Sequence, residues 1–320
     1  MTDNIAASRR SQIMLRAARL YYVQNRTMDA IAAELHISRS SVSRLLARAR
    51  ATGMVEIRLH PTPEGSATLA NDLAERYGVS AQVVPVATAV SDVDRLDRVA
   101  RAAGRMLGRY VDSNMTIGIA WGSTMSAVSR HLSPRATRNA VVVQMNGAGN
   151  VLTTGIDYAN EILHRFGTAY SAEVQEFPVP AFLDAPATRE ALWRERSTRR
   201  VLDIQSRMDV AVFGVGSPFS EVPSRVHIGG YLDDADYRSL REDHVVGDIG
   251  TMFYRSDGSY SGVRLNRRAT GFDFTRLGRV PRRVAVVAGA QKTHSVRGAL
   301  AAGLITDLIL DEELARSLLD

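Results

Sequence analysis

The chain has 320 residues, 45% of them hydrophobic, and 40 Lys plus Arg against 34 Asp plus Glu, a formal charge of +6 with no cysteine. That length exceeds a lone binding head and leaves room for a second domain with a large core, so two domains are expected. Disulfides and thiolate metal sites are excluded, the scattered histidines lack ligand spacing, no apolar run reaches the roughly 18 residues of a membrane helix, and Arg16 and Arg19 break any signal-peptide core; a cytoplasmic protein without metal or cofactor is expected.

In chain order, Ser11 to Gln24 carries Ile13, Met14, Ala17, Ala18, Leu20 and Tyr21 at helical spacing. From Met28 to Ala47, the residues Ile31, Ala32, Leu35, Ile37, Val42 and Leu45 occupy the places where two short helices pack on each other, the pattern of a helix-turn-helix head. The turn needs a left-handed residue, and His36 stands there; Ser38 follows as an N-cap. With the packing face fixed, Arg39, Ser40, Ser43 and Arg44 project outward, and the candidate DNA contacts are Thr27, Ser38, Arg39, Ser40, Ser43, Arg44 and Arg48. Charge agrees. Residues 1–60 hold ten Arg and four acids, the whole formal excess of the chain, and no acid occurs from Leu35 to Val55.

Val55 to Leu59 alternates like a short strand, so a winged variant of the head is expected over residues 1–59. Residues 60–66, HPTPEGS, read as the linker. Over 67–320, helices and short apolar strands alternate: helix near 67–77, strand 81–86, helix 92–110, strand 115–121, helix 124–132, strand 140–145, helix 155–166, an extended stretch around 168–183, helix 187–206 and strand 209–215. An irregular segment follows, then strands near 249–254 and 259–265 flanking Ser256-Asp257-Gly258, strand 283–288, helix 292–302, strand 306–310 and helix 311–319. Buried strands such as Val141-Val142-Val143, followed by Gly and a helix, predict a doubly wound, largely parallel α/β domain.

Ligands of open α/β sheets bind beyond the carboxyl ends of strands, where helix starts present free N–H groups to anions. Four strand ends here carry Gly and small polar residues: Trp121-Gly122-Ser123-Thr124, Asn146-Gly147-Ala148-Gly149-Asn150, Gly214-Val215-Gly216-Ser217 and Ala288-Gly289-Ala290-Gln291-Lys292. Lys292 is the single Lys among 40 basic residues. A cation at a helix start is disfavoured by the helix dipole, which is easier to explain if an anion shares the site. Neither a dinucleotide fingerprint nor a GxxxxGK loop is present. Asp248 reads either as an acceptor for sugar hydroxyls or as an ordinary turn residue.

These blocks resemble the SorC family of sugar-responsive bacterial transcription regulators over nearly the whole chain. The resemblance rests on AIAAELHISRSSVSRLLARARATGMVEIRL, TIGIAWGSTMSAV, VVQMNGAGN, FPVPAFLDAP, DVAVFGVGS, GDIGTMFY and VAVVAGAQKTHSVRGALAAGLITDLILDEELARSLL, in that order. It implies an effector and oligomerisation domain over 67–320, similar in fold to sugar-phosphate isomerases and deaminases without turnover. It also implies dimers or tetramers on palindromic operators and a phosphorylated sugar or polyol as effector. By the same resemblance, Gly122, Ser123 and Thr124 hold the phosphate and Lys292 adds charge to it. Asp248 receives hydroxyls, while Asn146, Gly147, Gly149 and Gln291 complete the pocket. The chain departs from the family pattern at His36, Ala290 and Arg255, the last two expected to border the pocket. The competing reading is a sugar-phosphate isomerase or deaminase with an appended DNA-binding domain, using Asp248 and Lys292 for acid–base work.

Overall fold

The computed structural model describes residues 11–24, 26–55, 63–87, 89–219 and 230–320. The chain divides into two compact units, Met1–His60 and Pro61–Asp320.

In the first unit, helix α1 (11–18) runs into a π-turn, Arg19–Val23, ahead of α2 (Met28–Leu35) and α3 (Arg39–Ala51). Each of the last two helices starts at a hydroxyl cap: Thr27 Oγ1 accepts the Ala30 N–H at 3.2 Å, and Ser38 Oγ accepts that of Ser41 at 3.2 Å. Between them His36 takes φ 53°, ψ 44°, the left-handed turn expected from its position. Met14, Ala17, Ala18 and Leu20 of the first segment bury Ile31 of α2 with Val42, Leu46 and Ala49 of α3. Leu45, expected at the packing face, is only partly buried; Leu46 takes the interior place. The strand expected over 55–59 and the start of the expected linker lie outside the described residues.

The second unit is a seven-stranded sheet in the order β1-β9-β8-β5-β2-β3-β4, with every neighbouring pair parallel. Its strands are β1 (Ser80–Val84), β2 (Thr116–Ile119), β3 (Val141–Gln144), β4 (Glu173–Gln175), β5 (Val210–Gly214), β8 (Arg282–Val287) and β9 (Asp307–Asp311). Alternate side chains feed two separate cores: Val284 and Val286 of β8 face one, Ala285 and Val287 the other. Helices α5 (Asp92–Leu107), α6 (Ser123–Ser129) and α7 (Ile156–Tyr170) cover the first. The second is covered by α4 (Pro63–Tyr77), α9 (Arg196–Gln205), α12 (Thr293–Ala301) and α13 (Glu312–Leu319). This is the doubly wound arrangement that the valine-rich strands predict.

Six expectations need correction. The segment 60–66 is not all linker, because α4 begins at Pro63, a residue suited to a helix start. The helix expected over 187–206 is two, α8 (Pro186–Leu192) and α9, separated at Trp193 to Glu195. The extended stretch around 168–183 begins as helix, since α7 runs to Tyr170. The hairpin expected around Ser256-Asp257-Gly258 lies earlier: β6 (Val245–Ile249) pairs antiparallel with β7 (Met252–Arg255). Its two-residue turn puts Gly250 at φ 53° and Thr251 at φ 68°, as a primed hairpin turn requires. A threonine gave no warning of a left-handed position. Residues 264–267 form a 3₁₀ turn rather than a strand, and the segment read as irregular contains α10 (Asp234–Glu242). The remaining short helix is α11 (Phe274–Leu277).

Candidate functional site

On α3 the outward residues are those expected. Arg39, Ser40, Ser43, Arg44 and Arg48 are exposed, as are the cap residues Thr27 and Ser38. Arg44 Nη2 reaches only Ser41 Oγ, at 3.5 Å, and Arg39 lies 3.7 Å from Asp29 in an exposed pair of small energetic weight. The face therefore presents exposed guanidinium groups, while the hydroxyls of Thr27, Ser38 and Ser40 already take part in the caps of α2 and α3.

The second unit has its own candidate site, placed by topology. From β2 the chain winds outward through β3 to β4, then returns to the other side of β2 and winds through β5, β8 and β9. The neighbours β2 and β5 are thus the switch point, where the loops leaving two adjacent strands diverge and open a crevice. An open crevice occupies this place, about 470 Å³ when the space out to solvent is included. Trp121 to Met125 supply one wall after β2, Gly214 to Gly216 another after β5, and Asn146 stands at the end of β3. The hairpin β6–β7 closes it with Asp248, Gly250 and Thr251.

Two polar groups face this space from the interior. Asn146 is fully buried; its carbonyl accepts a hydrogen bond from Gln144 Nε2 at 2.7 Å, but its side-chain Oδ1 and Nδ2 have no partner. A buried amide with neither end satisfied is costly, and a ligand able to donate and accept would remove that cost. Asp248 is 4% exposed and exchanges backbone hydrogen bonds with Gly216, its carbonyl accepting at 2.8 Å. Gly216 leaves room for that side chain: a Cβ there would overlap the Asp248 carboxylate and force it to move. On the fourth strand end, after β8, Lys292 closes a short 3₁₀ turn, Ala290–Lys292, immediately before α12 rather than inside its first turn. Burial lowers its amine below the usual lysine range, and the Asp248 carboxylate opposes that shift.

Of the expected pocket residues, Gly122, Ser123, Thr124, Asn146 and Asp248 line the crevice. Lys292 stands close enough to feel the charge of Asp248 without being part of the wall. The structure does not bring Gly147, Gly149 or Gln291 to it. Gly147 spends its N–H on Thr270 Oγ1 at 3.2 Å and its carbonyl on Trp121 Nε1 at 2.8 Å, fixing the wall from behind. The Gly149 carbonyl accepts from Ala181 at 2.9 Å, and the Gln291 side chain is exposed beside Gly289. Arg255 does not border the pocket either, because its guanidinium donates to the carbonyls of Asp243 and Ser261 at 2.7 and 3.0 Å. Ala290 is likewise absent from the wall. Sequence reading missed Gly250 and Thr251, for which the only signal was the Gly itself. Among the described residues no cluster of His, Asp or Glu is arranged to hold a metal ion, and no helix is long and apolar enough to cross a membrane.

Residues 62–320 match the Sugar-bind family, described as "Putative sugar-binding domain", and residues 18–64 match the MarR family. The chain is 27% identical over 311 residues to the deoxyribonucleoside regulator of Bacillus subtilis (strain 168), spanning 97% of this chain and 98% of that protein. A solved domain of a possible sugar-binding transcriptional regulator from Arthrobacter aurescens TC1 is 52% identical, with a TM-score of 0.76 over 80% of this chain and 98% of that one. The full-length sorbitol operon regulator SorC of Klebsiella pneumoniae superposes with a TM-score of 0.73 over 97% of this chain and 99% of that one; at 24% identity this likeness concerns the fold.

Proposed function

This chain belongs to the Sugar-bind family and is a SorC-type regulator of transcription, and from that premise we propose that a sugar or polyol, phosphorylated at one end, sets its affinity for DNA. It is a DNA-binding regulator and not an enzyme. The observation that carries the effector reading is the buried, unpartnered amide of Asn146 facing the switch-point crevice. In this reading Asn146 and Asp248 receive hydroxyls. Ser123 and Thr124, at the uncapped start of α6, take the anionic end, and Lys292 supplies its counter-charge. Gly147, Gly149 and Gln291 act behind or beside the site.

On the first unit, Arg39, Ser40, Ser43 and Arg44 read base edges from the major groove, while Thr27, Ser38 and Arg48 hold the phosphates. Dimers or tetramers on palindromic operators, in the cytoplasm, are the assembly this reading requires: two heads must meet successive major grooves. An effector works only by binding the DNA-competent and DNA-incompetent arrangements unequally.

The experiment is a thermal unfolding series with matched phosphorylated and unphosphorylated sugars and polyols, since a ligand of the native state raises the midpoint. A rise with one phosphorylated compound, lost in Asn146→Ala, supports the reading; a rise only with unphosphorylated compounds removes the anionic end from it. Consumption of a sugar phosphate that ceases in Asp248→Asn would restore the enzymatic alternative.

A further inference from the structure

Among the described residues the Lys292 amine has no hydrogen bond or ion pair, although the residue is partly buried and Asp248 is near enough to act on it electrostatically. The place from which that amine extends is set by the turn 289–292, whose closing hydrogen bond runs from the Lys292 N–H to the Gly289 carbonyl at 3.1 Å. Gly289, at φ 95°, takes a conformation open to glycine and rarely to residues with a side chain. Its N–H is anchored by Asp311, at the end of β9 and completely buried, whose Oδ2 accepts it at 2.6 Å.

The other carboxylate oxygen of Asp311 accepts the Leu314 N–H at 3.2 Å, capping α13, and Arg95 Nη1 at 3.0 Å. Arg95, 5% exposed, sits in the first turn of α5 and spends its second nitrogen on Glu313, 2.7 Å away. Two residues further on, the same helix meets the far end of α6, where Asp97 lies 2.7 Å from His131, just beyond the C-terminus of α6. The loops after β8 and after β2 are separated in the sheet by β5. Helix α5 is tied to the first through Asp311, and it packs along α6, which leads away from the second.

We propose that Arg95 and Asp311 are positioning residues for the anionic end of the effector: through Gly289 they hold the turn that carries Lys292. An Asp311 carboxylate with N–H donors on both oxygens and a guanidinium beside it is a rigid anchor. Neither residue touches the crevice wall, so neither is a binding residue in its own right.

The inference rests on Lys292 as the counter-charge, and the test separates the two. The probe is inorganic phosphate, titrated at constant ionic strength against the unfolding midpoint of the full chain to give an apparent Kd. Lys292→Met raises that Kd about tenfold, as loss of one charge-assisted contact does. Arg95→Lys, which keeps the charge but loses the two-pronged fork, raises it by a similar factor and adds nothing in the Lys292→Met background, where there is no amine left to place.

If Lys292→Met leaves the Kd unchanged, the anion reading falls and this inference with it. If Lys292→Met acts but Arg95→Lys does not, or if the two effects multiply, the inference alone is overturned, since a merely structural role would act equally in both backgrounds. Amide exchange at Gly289 in the unaltered chain tests the anchor without any variant: slow exchange before phosphate is added is expected, and exchange at the rate of an open loop overturns it.

Discussion

Two residues show what a single side chain decides here. Arg44 is exposed on α3 and makes one long contact of 3.5 Å with Ser41, so little within the unit competes for it. Arg44→Ala is expected to cost about 1–3 kcal/mol of operator affinity and to relax base preference at one position, as loss of a bidentate base contact does; binding titrations on single-base operator variants would measure both. A uniform loss on all DNA would move Arg44 to the phosphates. Lys292 sets binding against stability. Its lowered pKa means that the unfolded chain, with an ordinary lysine, binds the proton more readily than the native chain. Stability of the ligand-free protein is consequently lost as pH falls from the unfolded value through the lowered native one. Lys292→Met, which keeps most of the apolar stem, should therefore raise the ligand-free midpoint at neutral pH, by about 2–4 °C for each kcal/mol recovered. Anion affinity of the unaltered chain should fall as pH rises through the same window, where the amine discharges.

At the scale of elements, two turns carry the argument. His36 adopts the left-handed conformation at φ 53°, a strain that glycine would avoid. His36→Gly is expected to stabilise the first unit by up to about 1 kcal/mol in denaturant unfolding, with operator affinity unchanged. A fall in operator affinity would show that the ring itself contributes to binding. Gly216 lies on the opposite side of that ledger. A methyl group there displaces the Asp248 carboxylate, so Gly216→Ala should cost about 1–3 kcal/mol of stability and abolish the response to the effector. Retention of the response would mean that Asp248 does not receive the ligand. Both turns are local, yet only the first is visible in local sequence: His36 lies between two amphipathic helices a fixed distance apart, whereas Gly216 meets Asp248 through a pairing 32 residues distant that depends on β6 folding back.

For the whole molecule, the division at His60 and Pro61 makes a sharp expectation. A fragment of residues 61–320 should fold, keep effector binding and lose operator binding; loss of effector binding in this fragment would show that the first unit completes the site. On operator DNA the full chain should show a steep fall of affinity with salt, and Arg48→Ala should reduce the slope of log K against log salt by about one, because each neutralised phosphate releases about one counterion. An unchanged slope would remove Arg48 from the phosphate contacts.

The head and the sheet were legible in sequence because both are written in short-range periodicity. Apolar residues at helical spacing from Met28 to Ala47 and unbroken runs such as Val284-Ala285-Val286-Val287 each specify an element regardless of what surrounds it. Strand-end residues Gly122 to Thr124 and Asn146 were legible too, since a parallel sheet collects its functional loops at one edge, whereas Asp248 lies on the separate hairpin β6–β7 and sequence left its role open. Which loops meet there was decided only by strand order. The return of the chain from β4 to the far side of β2 makes β5 its neighbour, brings Gly216 against Asp248, and leaves Gly147 and Gly149 supporting the wall. In the same way the buried contact of Asp311 with Arg95, 216 residues apart in sequence, exists only because β9 pairs beside β8 under helix α5. Periodicity is a property of neighbours along the chain and can be read from the sequence; the juxtaposition of distant strand ends is a property of the folded sheet, and only the folded sheet determines it.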